Sequence, residues 1–333
     1  MRPHIRYRLT LSALGILTLV LFLLSLTVGP AALTFRASIA ALFSDKADVI
    51  ALIMQEVRLP RALLGLTIGA TLGLSGAVLQ GLLRNPLAEP GLIGISASAS
   101  LGAVIAIYTG ITLVFPLALP LSAFAGALVA VLLVQALAGA RGSILTIILA
   151  GVAVSSFAGA MTSLALNLSP NPFASLEIMF WMLGSLTDRS MLHFWLAAPF
   201  ILVGWLMLGT LGKALNALTL GNDAAASLGI DMRRIQMQAV LGTAASVGAA
   251  TAVAGAIGFV GLVIPHLLRP LVGNLPSRLL PASALGGACM VLAADILVRI
   301  IAPERDLKLG VLTAIVGAPF FLWLVHAERR RLA

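Results

Sequence analysis

Asp295 and Arg299 stand four residues apart in the apolar run VLAADILVRI. On a helix they share a face and can pair. A charge at the centre of a bilayer costs about 2.5–3.5 kcal/mol on insertion scales, so such residues have a reason to be there. The pair serves either as a proton or substrate path or as a structural ion pair near the outer end of a span, the simpler of the two readings. A second group lies in GFVGLVIPHLLRPLVG, residues 258–273, where His266 and Arg269 are spaced for one helix face. Pro265 removes a backbone donor, and Pro270 is expected to end the helix. Arg269 would then snorkel to lipid phosphates. His266 reads as a capping or packing residue, because no second histidine or acid stands at ligand spacing; no metal site is expected. No GxxxxGK[ST], HExxH, GxSxG or CxxC occurs, and the four histidines are scattered. Lys213 follows a glycine but precedes Ala214, so it is no phosphate-loop lysine. A membrane enzyme would need a catalytic constellation that is absent. If transport through this chain is ATP-driven, the ATPase is another chain.

The elements that must position these residues are membrane helices. The chain has 333 residues, 60% hydrophobic and only 10% charged, against about 25% charged in a soluble domain. It could not cover its surface in water, so lipid is its solvent. The net charge of +9 does not point to nucleic acid, because the basic residues fall singly or in twos and threes between apolar stretches. The lone cysteine, Cys289, sits in an apolar stretch and reads as a packing residue. Apolar runs separated by polar breaks predict ten spans, at 9–29, 62–82, 92–109, 114–137, 144–166, 193–212, 236–256, 258–267, 280–300 and 309–327. The first run, of about 20 residues, exceeds a secretory core of roughly 7–15 and is read as an uncleaved transmembrane helix. The eighth is too short to cross; it either extends past Pro270 or is a broken half-helix. The expectation is an all-α, polytopic membrane protein with a single domain over residues 1–333.

With both termini cytoplasmic, 13 of the 21 Lys and Arg face inward, among them Arg2, Arg84, Arg141, Lys213, Arg269 and Arg278. The positive-inside rule agrees, although Arg58, Arg61 and Arg299 oppose it. Pro116 and Pro120 bracket an outer turn. In GLTIGATLGLSGAVLQG the glycines Gly65, Gly69, Gly73, Gly76 and Gly81 permit close helix approach, and Gln80 is an interhelical donor; tight packing suffices to explain them. The largest inner polar segment, 213–235, contains NALTLGNDAAASLGIDMRR. Gly221 breaks the preceding element, Asn222 or Asp223 caps a short helix, Gly229 ends it and Asp231 caps the next span. Such a helix is either a membrane-lying lid or a knob for a cytoplasmic partner.

RLPRALLGLTIGATLGLSGAVLQGLLRNPLAEPGLIGIS (58–96) resembles the hallmark of the FecCD family, the permease subunits of bacterial ABC importers for iron-siderophores, haem and vitamin B12. WMLGSL (181–186), LGNDAAASLG (220–229), GAIGFVGLVIPHLLRPLVG (255–273), LLPASALGGA (279–288), AADILVR (293–299) and GVLTAIVGAPFFLWLV (310–325) follow in the family's order. The resemblance implies the type II importer permease fold, with ten helices, in the bacterial cytoplasmic membrane. It implies a second permease subunit, most simply an identical one, two ATP-binding subunits and a periplasmic or lipid-anchored substrate-binding protein. ATP and Mg would be bound by the partner ATPase and no cofactor by this chain. The coupling segment would comprise Leu220, Gly221, Asn222, Asp223, Ala224, Ala225, Ala226, Ser227, Leu228 and Gly229. Arg58, Arg61 and Arg299 would meet acidic residues of the binding protein, which explains their defiance of the charge rule. Two places depart from the family pattern: Asp306-Leu307-Lys308 before the last span, and Asn274-Leu275-Pro276-Ser277. The rival expectation is an ion-coupled secondary transporter relaying protons through Asp295 and Arg299.

Overall fold

The computed structural model describes residues 3–29, 35–44, 48–115, 117–139, 144–169, 172–302 and 307–332. Arg2, Pro116, Arg141 and Asp306, which entered the sequence reading, lie outside them. Ten helices carry the architecture: α1 (Pro3–Thr27), α2 (Leu59–Leu83), α3 (Ile95–Tyr108), α4 (Ala118–Ala138), α5 (Ile144–Asn167), α6 (Met191–Gly209), α7 (Met232–Ala254), α8 (Val260–Val272), α9 (Pro276–Ile301) and α10 (Leu309–Leu332). No strand occurs among the described residues. Seven of these helices are long and apolar enough to cross a membrane, and three shorter apolar helices, α3, α8 and the apolar part of α10, complete the expected ten. Large apolar side chains such as Leu128, Leu132, Leu202 and Leu206 point outward, as they must where the solvent is hydrocarbon.

Local chemistry sets the helix ends. Asp231 caps α7 by accepting from the N–H groups of Arg233 and Arg234 at 3.0 and 3.2 Å. Pro276 opens α9 in the first turn, where a missing N–H costs nothing. Pro270 does not end α8: the helix runs on to Val272 and stops at Gly273, whose φ of 83° is left-handed. At 13 residues α8 is about 20 Å long. It begins part-way through the bundle, beside Gly76 of α2, after the irregular stretch 255–259. The eighth span is therefore both a half-helix and extended past Pro270.

The chain alternates direction, so two ends of the bundle are defined. Arg278 donates to His4 at 3.1 Å, Asn216 bonds Ser277 at 2.8 Å and Arg84 reaches Asn222; these residues share the basic end. The opposite end holds Arg58, Arg61 and Asp295 with the last turn of α1. α2 runs through the centre and packs its glycine face on α9. A methyl group on Gly73 would overlap the carbonyl of Ser283, and one on Gly287 would overlap that of Gly69. α3 and α4 meet in the same way, Gly102 against Ser122 and Gly126 against Ser98. Cys289 is buried and free. Gly15, by contrast, has open space around it. Replacing Gly73 with Ala should force α2 and α9 apart and cost about 1–3 kcal/mol. The apparent melting temperature in detergent should fall clearly, while Gly15→Ala should leave it unchanged.

Candidate functional site

At the basic end a short helix, Asn222–Ser227, lies between two glycines in positive φ, Gly221 at 114° and Gly229 at 78°. Only glycine adopts the first of these at no steric cost. The turn closes when the N–H of Ile230 donates to the carbonyl of Ala225 at 3.1 Å. Neither Asn222 nor Asp223 caps the helix: Gly221 holds the cap position, and Asn222 is already helical. The Asn222 side-chain oxygen instead accepts from Arg84, the residue that caps the C-terminus of α2. Ala225 is fully buried against a cluster that includes Leu215 and Leu218. The helix is thus anchored by one face. Leu220 and Leu228, which flank it, are 71% and 64% exposed. Asn216, just before it, is pinned to the start of α9: its side-chain amide donates to Ser277 Oγ, and its oxygen accepts from the Ser277 N–H at 2.9 Å.

Behind this end lies the answer to Pro265. The carbonyl of Gly261 would ordinarily accept from the N–H of residue 265, which proline lacks. Gln80 of α2 supplies the donor: its Nε2 lies 3.2 Å from the carbonyls of both Gly261 and Leu262. Arg269 donates to the other end of the same amide, Gln80 Oε1, at 2.8 Å. Gly76, one turn before Gln80, lets the α2 and α8 backbones touch. At the start of α8, Phe259 sits in left-handed conformation with φ 67°, and its N–H donates to Glu89 Oε1 at 2.6 Å. Glu89 lies in the loop between α2 and the 3-10 turn Pro90–Ile93. Burial raises its carboxyl above the usual range, and the Phe259 N–H pulls it back. Sequence reasoning passed over Glu89. Its position between two prolines, Pro86 and Pro90, was the available signal.

At the far end the expected Asp295–Arg299 pair is present, with Arg299 Nη2 2.7 Å from Oδ2. Arg61 completes a triad, its Nε and Nη2 each 2.8 Å from Oδ1. Arg299 also donates to the carbonyls of Ser25 and Val28 at 2.8 and 2.7 Å. Arg58 donates to those of Leu26 and Thr27 at 3.0 and 2.9 Å. These are the carbonyls that the end of α1 leaves without helical partners. The three arginines expected to face a binding protein are thus brought together, but they turn inward. Arg58 is 4% exposed, and the side chains of Arg61 and Arg299 are 14% and 8% exposed.

The sequence matches the FecCD transport family over residues 17–327. This chain belongs to that family. It is 35% identical over 342 residues to the hemin transport permease HmuU of Yersinia pestis, an alignment that covers 99% of each chain. It is 39% identical over 330 residues to the vitamin B12 import permease BtuC of Shigella boydii serotype 18, covering 99% of this chain and 97% of the relative. A solved structure described as an inward-facing metal-chelate type ABC transporter superposes with a TM-score of 0.84 at 32% identity, over 95% of this chain and 98% of the other. This FecCD chain therefore has the type II permease fold and is a transport permease of the ABC-importer class.

The triad yields a stability prediction. Asp295→Leu would leave two guanidiniums buried without their carboxylate. Breaking a buried pair in this way costs about 3–5 kcal/mol, so thermal stability in detergent should collapse. Arg61→Met combined with Asp295→Leu should recover part of the loss.

Proposed function

We propose that this chain is one of two identical permease subunits of an inner-membrane importer, with both termini in the cytoplasm. It carries a metal chelate of the haem, cobalamin or iron-siderophore kind, and a separate pair of ATPase subunits drives it. The observation that carries this reading is the helix Asn222–Ser227. It is anchored to the bundle by Ala225 and Arg84 and offers Leu220 and Leu228 to a partner. Exposed leucines at the basic end fit a protein socket in the cytoplasm, where the positive-inside rule places that end.

The passageway would lie between two copies. On α5, Ser156, Gly159, Ala160, Ser163 and Asn167 form one small and polar stripe at helical spacing, and all are exposed in the single chain. Ser and Asn side chains are ill suited to hydrocarbon, so this face suits a partner subunit and a water-filled path. Large chelates need no dedicated ligand set in such a path. The names of the relatives, hemin and vitamin B12 permeases, support that cargo class.

Replacing both Leu220 and Leu228 with Glu should abolish co-purification of the ATPase subunit and ATP-dependent uptake into proteoliposomes. The melting temperature should be unchanged. Retained co-purification would remove this helix from the interface. For the outer face, Arg61 is the most open of the three arginines and the one expected to reach a docked binding protein. Arg61→Gln should slow association of the binding protein, with a weaker salt dependence of the on-rate. An on-rate identical to that of the native chain at low salt would confine Arg61 to its bond with Asp295.

A further inference from the structure

Arg84 and Glu89 sit at the two ends of one stiff turn. Arg84 is left-handed, with φ 48°. Asn85 then closes on itself: its side-chain oxygen accepts from the Leu87 N–H at 2.9 Å, and its carbonyl accepts from the Ala88 N–H at 3.1 Å. Pro86 and Pro90 fix two more φ angles, and Ala88 is fully buried. Arg84 holds Asn222, the first residue of the projecting helix. Glu89 holds the N–H of Phe259, the N-cap residue of the half-helix α8, at 2.6 Å. Helix N-termini carry unpaired donors and partial positive charge, and a carboxylate there forms a short, charge-assisted bond. The turn thus links the 222–227 helix at the basic end to a helix start in the interior.

We propose that Arg84 and Glu89 are positioning residues for transport, the two grips of a lever that moves the start of α8 when the 222–227 helix is displaced. This rests on the reading that an ATPase subunit docks on that helix. α8 is suited to be moved. It is short, its first turn is held by side chains, and at its start it meets α2 backbone on backbone at Gly76 and Gly261, its apolar side-chain packing in the bundle continuing through Leu268 and Val272. Displacing its N-terminus changes where the irregular stretch 255–259 lies in the interior, beside Gly184, Gly310 and Gly317. Gln80 grips the carbonyls of the same first turn from α2, so the lever works against a fixed post.

The test uses the whole complex in proteoliposomes, with the ATPase subunits, the binding protein and its chelate. Uptake and ATP hydrolysis are measured together, and the readout is chelate moved per ATP hydrolysed. Glu89→Ala should lower that ratio at least about fivefold, the lower bound of ordinary coupling energies, with ATPase co-purification and basal hydrolysis intact. Glu89→Gln keeps an acceptor for the Phe259 N–H and should recover most of the ratio. Arg84→Ala, at an exposed position, should lower the ratio without unfolding the chain, so it decides the matter even if Glu89→Ala is unstable. Because the two grips act in series, the double variant should be no worse than the poorer single one. An unchanged ratio in Arg84→Ala, failure of Glu89→Gln to rescue, or additive losses in the double variant would overturn the lever. Uptake by the unmodified complex without ATP hydrolysis would overturn the importer reading itself, and it is recognised before any variant is made.

Discussion

In hydrocarbon no water is at hand to satisfy a backbone group, so every carbonyl or N–H that a helix releases must find its partner in the protein. The polar chemistry of this chain is largely an answer to that constraint. Pro265 frees the Gly261 carbonyl, and Gln80 takes it. α8 starts inside the bundle with an unpaired N–H at Phe259, and Glu89 takes that. α1 ends with open carbonyls, and Arg58 and Arg299 take those. Several of the few charges that this apolar chain carries serve the places where regular helix geometry fails.

Irregular backbone in a membrane also marks where a bundle can move. A continuous helix packed by interlocking side chains resists displacement, because interiors are close-packed and bistable rather than pliable. α8 departs from that at its start. Its ends are set by glycine and left-handed residues, and its first turn meets α2 backbone on backbone at Gly76 and Gly261, while Leu268 and Val272 pack its later turns. The partners that satisfy its first turn come from α2 and from the turn 84–89. Satisfying the orphan groups from outside the helix therefore does two things at once. It makes a helix start inside the bundle tolerable, and it ties that start to segments that reach the basic end.

Ten apolar helices were legible from runs of apolar residues, because in lipid the length of such a run is itself the structure; seven of them are long enough to cross and three are shorter. The short helix at 222–227 was legible from its glycines. Its cap was not: the polar residues that suggested capping, Asn222 and Asp223, are helical, and Asn222 serves Arg84 from 138 residues away in the chain. Pro270 read as a terminator because proline removes one bond. A helix that already leans on side chains bears that loss and continues to Val272. The triad was half visible. Arg299 lies one turn from Asp295, but Arg61 is 234 residues distant and reaches it only because α2 and α9 pack glycine to glycine. Spacing along one helix can be read from a sequence; bonds that depend on how helices are laid side by side cannot.

The same triad bears on how transport is energised. A secondary transporter that moves protons through Asp295 needs that carboxylate to exchange partners with water during the cycle. Here one oxygen is bonded by Arg61 through two nitrogens and the other by Arg299. Arg299 is itself committed to the end of α1. Through Asp295 the α2 residue Arg61 is tied to α9, and Arg299 ties α9 to α1. A carboxylate so fully committed to two guanidiniums is a poor relay and a good fastener. The charges at the far end therefore hold helices together, and the docking helix proposed for the motor lies at the other end, flanked by two exposed leucines.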